Sequence, residues 1–241
     1  MKNLLPVLFL LSVLSLQAQK QIVWFDTGLK VQYGATGLYN QAIADAANYD
    51  YTISTGYSYG GKIGINFAYN GLSIDVMKSK ARQEFENYNT AGTQRITSVD
   101  WEALDIYALF RNAKNLGYFE IGPKVSFINK VTDNVDGSDT ERTASYNENV
   151  YSGVIGFGAN ILGSDGRFSG ILGLRFEYAF TDFVSAAGQE SFAPLRDASV
   201  YSANGYKSSN IAFAGVVFEF NWGIGYYGKA QCGQRSKFIM F

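Results

Sequence analysis

Between residues 25 and 222 the chain alternates apolar and polar positions with a period of two. Phe25, Thr27, Leu29, Val31 and Tyr33 alternate with Asp26, Gly28, Lys30 and Gln32. The clearest segment, 168–180, sets Phe168, Leu172, Leu174, Phe176, Tyr178 and Phe180 against Ser169, Gly173, Arg175 and Glu177. The pattern recurs at 57–69, 72–76, 104–111, 119–127, 151–161 and 212–222. Successive side chains of a strand point to opposite faces, so each segment has one apolar and one polar side. The expected elements are eight β-strands.

Strand length separates a soluble sheet from one that crosses a bilayer. Soluble strands average about 5–6 residues, whereas most of these patterns run about 10 or more, the length a tilted membrane strand needs. The connections alternate as well. Residues 34–56, 85–96, 129–150 and 182–207 read as long polar loops, while 70–71, 112–116 and 163–166 read as tight turns. Short turns at one end and long loops at the other are expected of outer-membrane barrels, with the turns periplasmic. Aromatic residues of the apolar face gather at both ends: Phe25, Phe110, Phe119 and Trp222 towards the turns, Tyr33, Tyr57, Tyr59 and Tyr178 towards the loops. Rings favour both membrane interfaces. The predicted fold is all-β: an eight-stranded, antiparallel, up-and-down transmembrane β-barrel.

The flanks complete this organisation. Residues 1–18 hold Lys2, an apolar run from Leu4 to Leu16 interrupted by Pro6, and a small residue at Ala18, the pattern of a secretory signal peptide. The barrel is expected over 19–222 and a periplasmic tail with the lone Cys232 over 223–241. The expected location is the outer membrane of a Gram-negative bacterium. Partners follow from that location: outer-membrane lipids, lipopolysaccharide and the outer-membrane assembly machinery.

Composition narrows the chemistry. The 241 residues include no histidine and one cysteine, which excludes a Ser-His-Asp triad, histidine-ligated zinc and an intrachain disulfide. A formal net charge of −1 carries no electrostatic footprint for nucleic acid. The polar faces collect Asp26, Lys30, Lys62, Asp75, Asp105, Arg111, Glu120, Lys124, Arg175, Glu177 and Glu219. An eight-stranded barrel is just wide enough for side chains to fill it. The near balance of charge therefore predicts a salt-bridged plug, with an ion or proton pathway as the alternative. Gly28, Gly60, Gly64, Gly122, Gly156, Gly158 and Gly173 share this face and make room for bulky neighbours.

No catalytic, cofactor-binding or metal-binding residue is expected. The acidic stretch 133–139 invites a calcium reading, but Val135 and Gly137 stand where an EF-hand loop places oxygen ligands. A solvated loop is expected there. The basic run Lys78 to Arg82 and the pair Arg95-Ile96 fall where the third and fourth strands leave the membrane. They read as solvated, or as contacts to lipopolysaccharide phosphates.

With its export signal, tyrosine-rich alternating strands and the segment Gly117-Tyr118-Phe119-Glu120-Ile121-Gly122-Pro123-Lys124, the chain resembles small outer-membrane β-barrel proteins of the PorT-like type. That resemblance implies the barrel fold and carries over no catalytic residue. The expected function is a non-enzymatic structural or surface protein with a filled lumen and four long, mobile external loops. The alternatives are an accessory role in outer-membrane secretion, and an exported soluble barrel holding a lipid.

Overall fold

The computed structural model describes residues 23–67, 69–88, 94–114, 117–135, 137–162 and 168–225. The expected signal peptide and nearly all of the tail, including Cys232, lie outside the described residues. Among the described residues, eight long antiparallel strands close a ring: β1 (Val23–Asn40), β3 (Ser54–Phe67), β4 (Asn70–Tyr88), β5 (Gln94–Lys114), β6 (Gly117–Val135), β8 (Asn149–Leu162), β9 (Phe168–Ala179) and β10 (Ser209–Gly225). Each pairs with its neighbours in the chain, and β1 pairs with β10 from Trp24↔Gly225 to Asn40↔Ser209. Two short strands, β2 (Tyr49–Thr52) and β7 (Ser138–Glu141), extend the sheet at the loop end on β4 and β6. Closure leaves the ring itself no unpaired edge.

The alternation read from the sequence is the alternation of the wall. Phe25, Leu29, Val31 and Tyr33 face outward, while Asp26, Lys30 and Gln32 are buried in the lumen. From Val23 to Tyr33 about ten residues, each rising about 3.3 Å and tilted about 40°, span about 25 Å, the height of a barrel's apolar band. Inward glycines admit large side chains. A Cβ on Gly173 would lie 2.1 Å from the Tyr118 hydroxyl, and one on Gly34 would lie 2.3 Å from the Cα of Gly215.

Several boundaries differ from the expectation. Phe67 pairs with Asn70 and Asn66 with Gly71, so Asn70 and Gly71 open β4 and the turn lies earlier. β10 continues past residue 222: Gly223, Ile224 and Gly225 pair with Asp26, Phe25 and Trp24, so the barrel extends into the expected tail. β4 and β5 pair as far as Tyr88↔Gln94, and β6 runs to Val135. Much of the second and third expected loops is therefore strand, because ladder hydrogen bonds hold a polar strand as well as an apolar one once its neighbours are in place.

The remaining loops are not free either. α1 (Gln41–Ala44) and α3 (Ala198–Asn204) bury Ala42, Ile43, Val200 and Tyr201 at the loop end, while α2 (Ala186–Glu190) follows Ser185, whose amide donates to the Ser145 carbonyl. Phe183, Val184, Leu195, Val200 and Tyr201 of the last loop join Leu38, Ile43, Phe85, Val99, Trp101, Val131 and Tyr146 in one hydrophobic core. The Phe183 ring lies 4.7 Å from that of Tyr146 and 5.5 Å from that of Trp101, centre to centre. Among the described residues, parts of the first, third and last expected loops thus pack together as a cap. Loop 182–207 contains enough apolar side chains to bury, and the tall β4–β6 wall supplies a surface for them.

Candidate functional site: the ion-paired lumen and the loop-end rim

The strand pattern delivers eleven ionisable side chains to the interior, and all eleven are buried. Glu219 on β10 stands at their centre. Lys62 Nζ lies 2.7 Å from its Oε1, Lys30 Nζ 3.1 Å from its Oε2, and Arg111 donates to both oxygens at 2.9 and 2.8 Å. Lys62 also meets Asp26 at 2.7 Å, and Lys30 pairs with Asp75. Arg111 reaches Glu120 Oε2 at 2.7 Å, and Arg175 reaches Glu120 Oε1 at 2.6 Å and Asp75 at 3.5 Å. Towards the loop end, Lys124 lies 2.6 Å from Glu177 and 3.3 Å from Asp105.

Neutral groups join the two halves. Gln32 accepts from Arg175 at 3.3 Å and donates to Glu177 and to the Tyr107 hydroxyl, both at 3.3 Å. Tyr107 donates to Glu177 at 3.1 Å. The Arg175 guanidinium stands 4.9 Å from the centre of the Tyr107 ring, and that of Arg111 stands 4.4 Å from the centre of Tyr118, so both rings stabilise cations through their π-faces. An isolated charge in such a place costs several kcal/mol, which only this degree of pairing offsets.

The lumen is filled rather than open. At the turn end Trp24, Ala113, Tyr118 and Ile171 pack together, and at the centre Met77, Tyr107, Leu109 and Val154 do so. A cavity beside Gln32, Asp105, Lys124 and Glu177 measures about 30 Å³, room for about two waters. The salt-bridged plug is therefore what the side chains build. Gln32, Trp24 and Tyr118 were not singled out as lumen-filling from sequence, although the parity of their strands already points them inward. A soluble lipid-binding barrel would require Leu174 and Phe176 inside; both face outward.

The cap is held by its own polar contacts. Asp133 accepts from Tyr146 at 2.7 Å and from Arg196 at 2.8 Å. Asp182 accepts from Tyr206 at 2.7 Å and from the Ser209 amide at 2.9 Å. Burial, reinforced by these carboxylates, pushes the Tyr146 and Tyr206 hydroxyls well above the ordinary phenol range.

Above the apolar band the outer face changes on one side only. Along the loop-end half of the ring strands, the outward charges sit on β4, β5 and β6, beyond Val76, Leu104 and Phe127. The run Lys78 to Arg82 is strand, with Lys78, Lys80 and Arg82 outward and exposed. Arg82 forks onto Asp100 at 2.7 and 3.0 Å, and Lys80 lies 3.2 Å from Glu102. Among the described residues Lys78 has no carboxylate partner.

No protein-family model and no curated protein matches the chain. Solved structures do resemble it. Neisserial surface protein A shares 10% identity over 81% of this chain and 95% of its own, with a TM-score of 0.38. The attachment invasion locus protein Ail of Yersinia pestis, solved with the heparin analogue sucrose octasulfate, shares 11% identity over 83% of this chain and 99% of its own, at 0.38. The translocator domain of the autotransporter NalP from Neisseria meningitidis shares 9% identity over 92% and 95%, at 0.34.

Proposed function

We propose that the chain is an integral outer-membrane barrel of structural or surface type, without enzymatic activity, with its turn end periplasmic and its packed cap outside. The observation that carries this reading is the inversion of polarity: ion pairs fill the centre and aliphatic and aromatic side chains cover the outside. A half-exposed aromatic leaves roughly 100 Å² bare. A handful of them equals the roughly 300–600 Å² of a soluble monomer's largest apolar patch, and here they encircle the ring. The pairing of the lumenal carboxylates with lysines and arginines supports the non-enzymatic reading. The PorT-like resemblance belongs to the same proposal; its segment 117–124 is the first part of β6.

Spin labels at positions 174 and 175 in bilayers test the placement. We expect oxygen-accessible, lipid-like behaviour at 174 and an immobile, inaccessible label at 175, together with heat-modifiable mobility of the unlabelled protein on gels. Purely soluble fractionation, or the inverse accessibility, would overturn it.

A further inference from the structure

We propose that the loop-end rim of the β3–β6 wall is a docking site for the phosphorylated headgroup of an anionic lipid. The proposal rests on the membrane placement argued above and adds a partner to it. A hollow of about 110 Å³ lies at this rim, lined by Tyr57, Tyr59, Lys78, Ser79, Lys80 and Glu102. That volume suits a phosphate-sized group, far below the roughly 300–1,000 Å³ of a drug-sized pocket.

Strand register explains why the hollow is cationic. Tyr59 pairs with Lys78, Tyr57 with Lys80, Lys80 with Glu102, and Glu102 with Lys130, so these side chains form two adjacent rows directly above outward-facing Val76. The rows hold three ammonium groups and one carboxylate, and Lys130 lies 3.9 Å from a second carboxylate, Glu141, so one positive charge is left in excess. One row higher the positive excess is lost: Arg82 is taken by Asp100 and Glu84. Positive charge is thus concentrated at the edge of the apolar band, where headgroups lie. A lysine there keeps its stem against apolar surface and its ammonium in the interface, and tyrosine rings favour the same depth. Continuity with the apolar wall selects a lipid over a free phosphate, because acyl chains have a surface to lie on directly beneath the hollow.

The test uses the full chain in nanodiscs of phosphatidylcholine with one-fifth phosphatidylglycerol, roughly matching the negative surface of a biological leaflet. Lipids retained on the protein are then counted by native mass spectrometry. Phosphatidylglycerol should be enriched over its share, and Lys78→Gln should lower that enrichment about fivefold, the effect of one interfacial lysine. The triple variant Lys78→Gln/Lys80→Gln/Lys130→Gln should bind both lipids in proportion, and Lys207→Gln, an exposed lysine of the cap, should behave as the unaltered chain. Equal retention of both lipids by the unaltered chain, or full enrichment in the triple variant, overturns the site. Displacement by millimolar inorganic phosphate overturns the lipid as its occupant. Failure of the unaltered chain to enter nanodiscs rejects the membrane placement, and the site with it.

Discussion

Arg175 and Glu120 are 55 residues apart in the chain, and their side chains meet at 2.6 Å inside the barrel, both shielded from solvent. Glu120 shares its other oxygen with Arg111, so one carboxylate ties β5, β6 and β9 together. Replacing Arg175 with Met leaves Glu120 with Arg111 alone and Asp75 with Lys30 alone, each a buried carboxylate short of one cation. The expected loss is about 3–5 kcal/mol, read as a lower urea midpoint for unfolding from lipid vesicles. Arg175→Met/Glu120→Leu should lose less than the two single changes summed, because it removes both charges together.

Next along β9, Leu174 turns to the opposite side and is 41% exposed. Leu174→Arg puts a cation against hydrocarbon near the middle of the band and should destabilise insertion by about 2–4 kcal/mol. Folding yield into vesicles, compared with Leu174→Ala, measures it. A cation tolerated there as well as alanine would contradict lipid contact at this strand.

Two glycines give opposite outcomes for rescue. Gly173→Ala drives its methyl into the Tyr118 hydroxyl, 2.1 Å away, and should cost about 1–3 kcal/mol as overpacking. Adding Tyr118→Phe removes that oxygen and should restore part of the loss. Gly34→Ala meets only main chain, at 2.3 Å from Gly215 Cα and 2.4 Å from the Ala214 carbonyl oxygen. No side-chain change should rescue it, and the unfolding midpoints of the three variants separate the two cases.

The cap should loosen in alkali before the barrel does. The hydroxyls of Tyr146 and Tyr206 are raised by burial and by Asp133 and Asp182. A group with a raised folded pKa stabilises fully below its unfolded value, about 10 for tyrosine, and loses that contribution as pH climbs towards the folded value. Protease cleavage within 182–207 should therefore rise above about pH 10 while β-sheet circular dichroism persists. Tyr206→Phe should shift the onset upward.

How much of this was legible in the sequence varies with the range of the interaction. Arg175 and Leu174 were assigned to opposite faces from parity alone, and the same holds for Lys62 against Ile63 and Glu219 against Phe220. The cap was not legible. Phe183, Val184 and Val200 stand in a stretch without periodicity and read as loop; they are buried because Trp101 and Val131 of other strands wait for them. The turn at Asn70-Gly71 was misplaced for a related reason. An Asn-Gly pair favours a turn locally, but pairing of Phe67 with Asn70 sets where the hairpin closes.

Facing is a property each strand carries on its own, since its period is two wherever it is placed, and so the sequence by itself determined which charges go inward and which aromatics go outward. Which cation meets which carboxylate was decided only when the ring closed. Glu219 gathers Lys30, Lys62 and Arg111 from three different strands, and the stagger and tilt that bring them level belong to the whole barrel, not to any one segment of it.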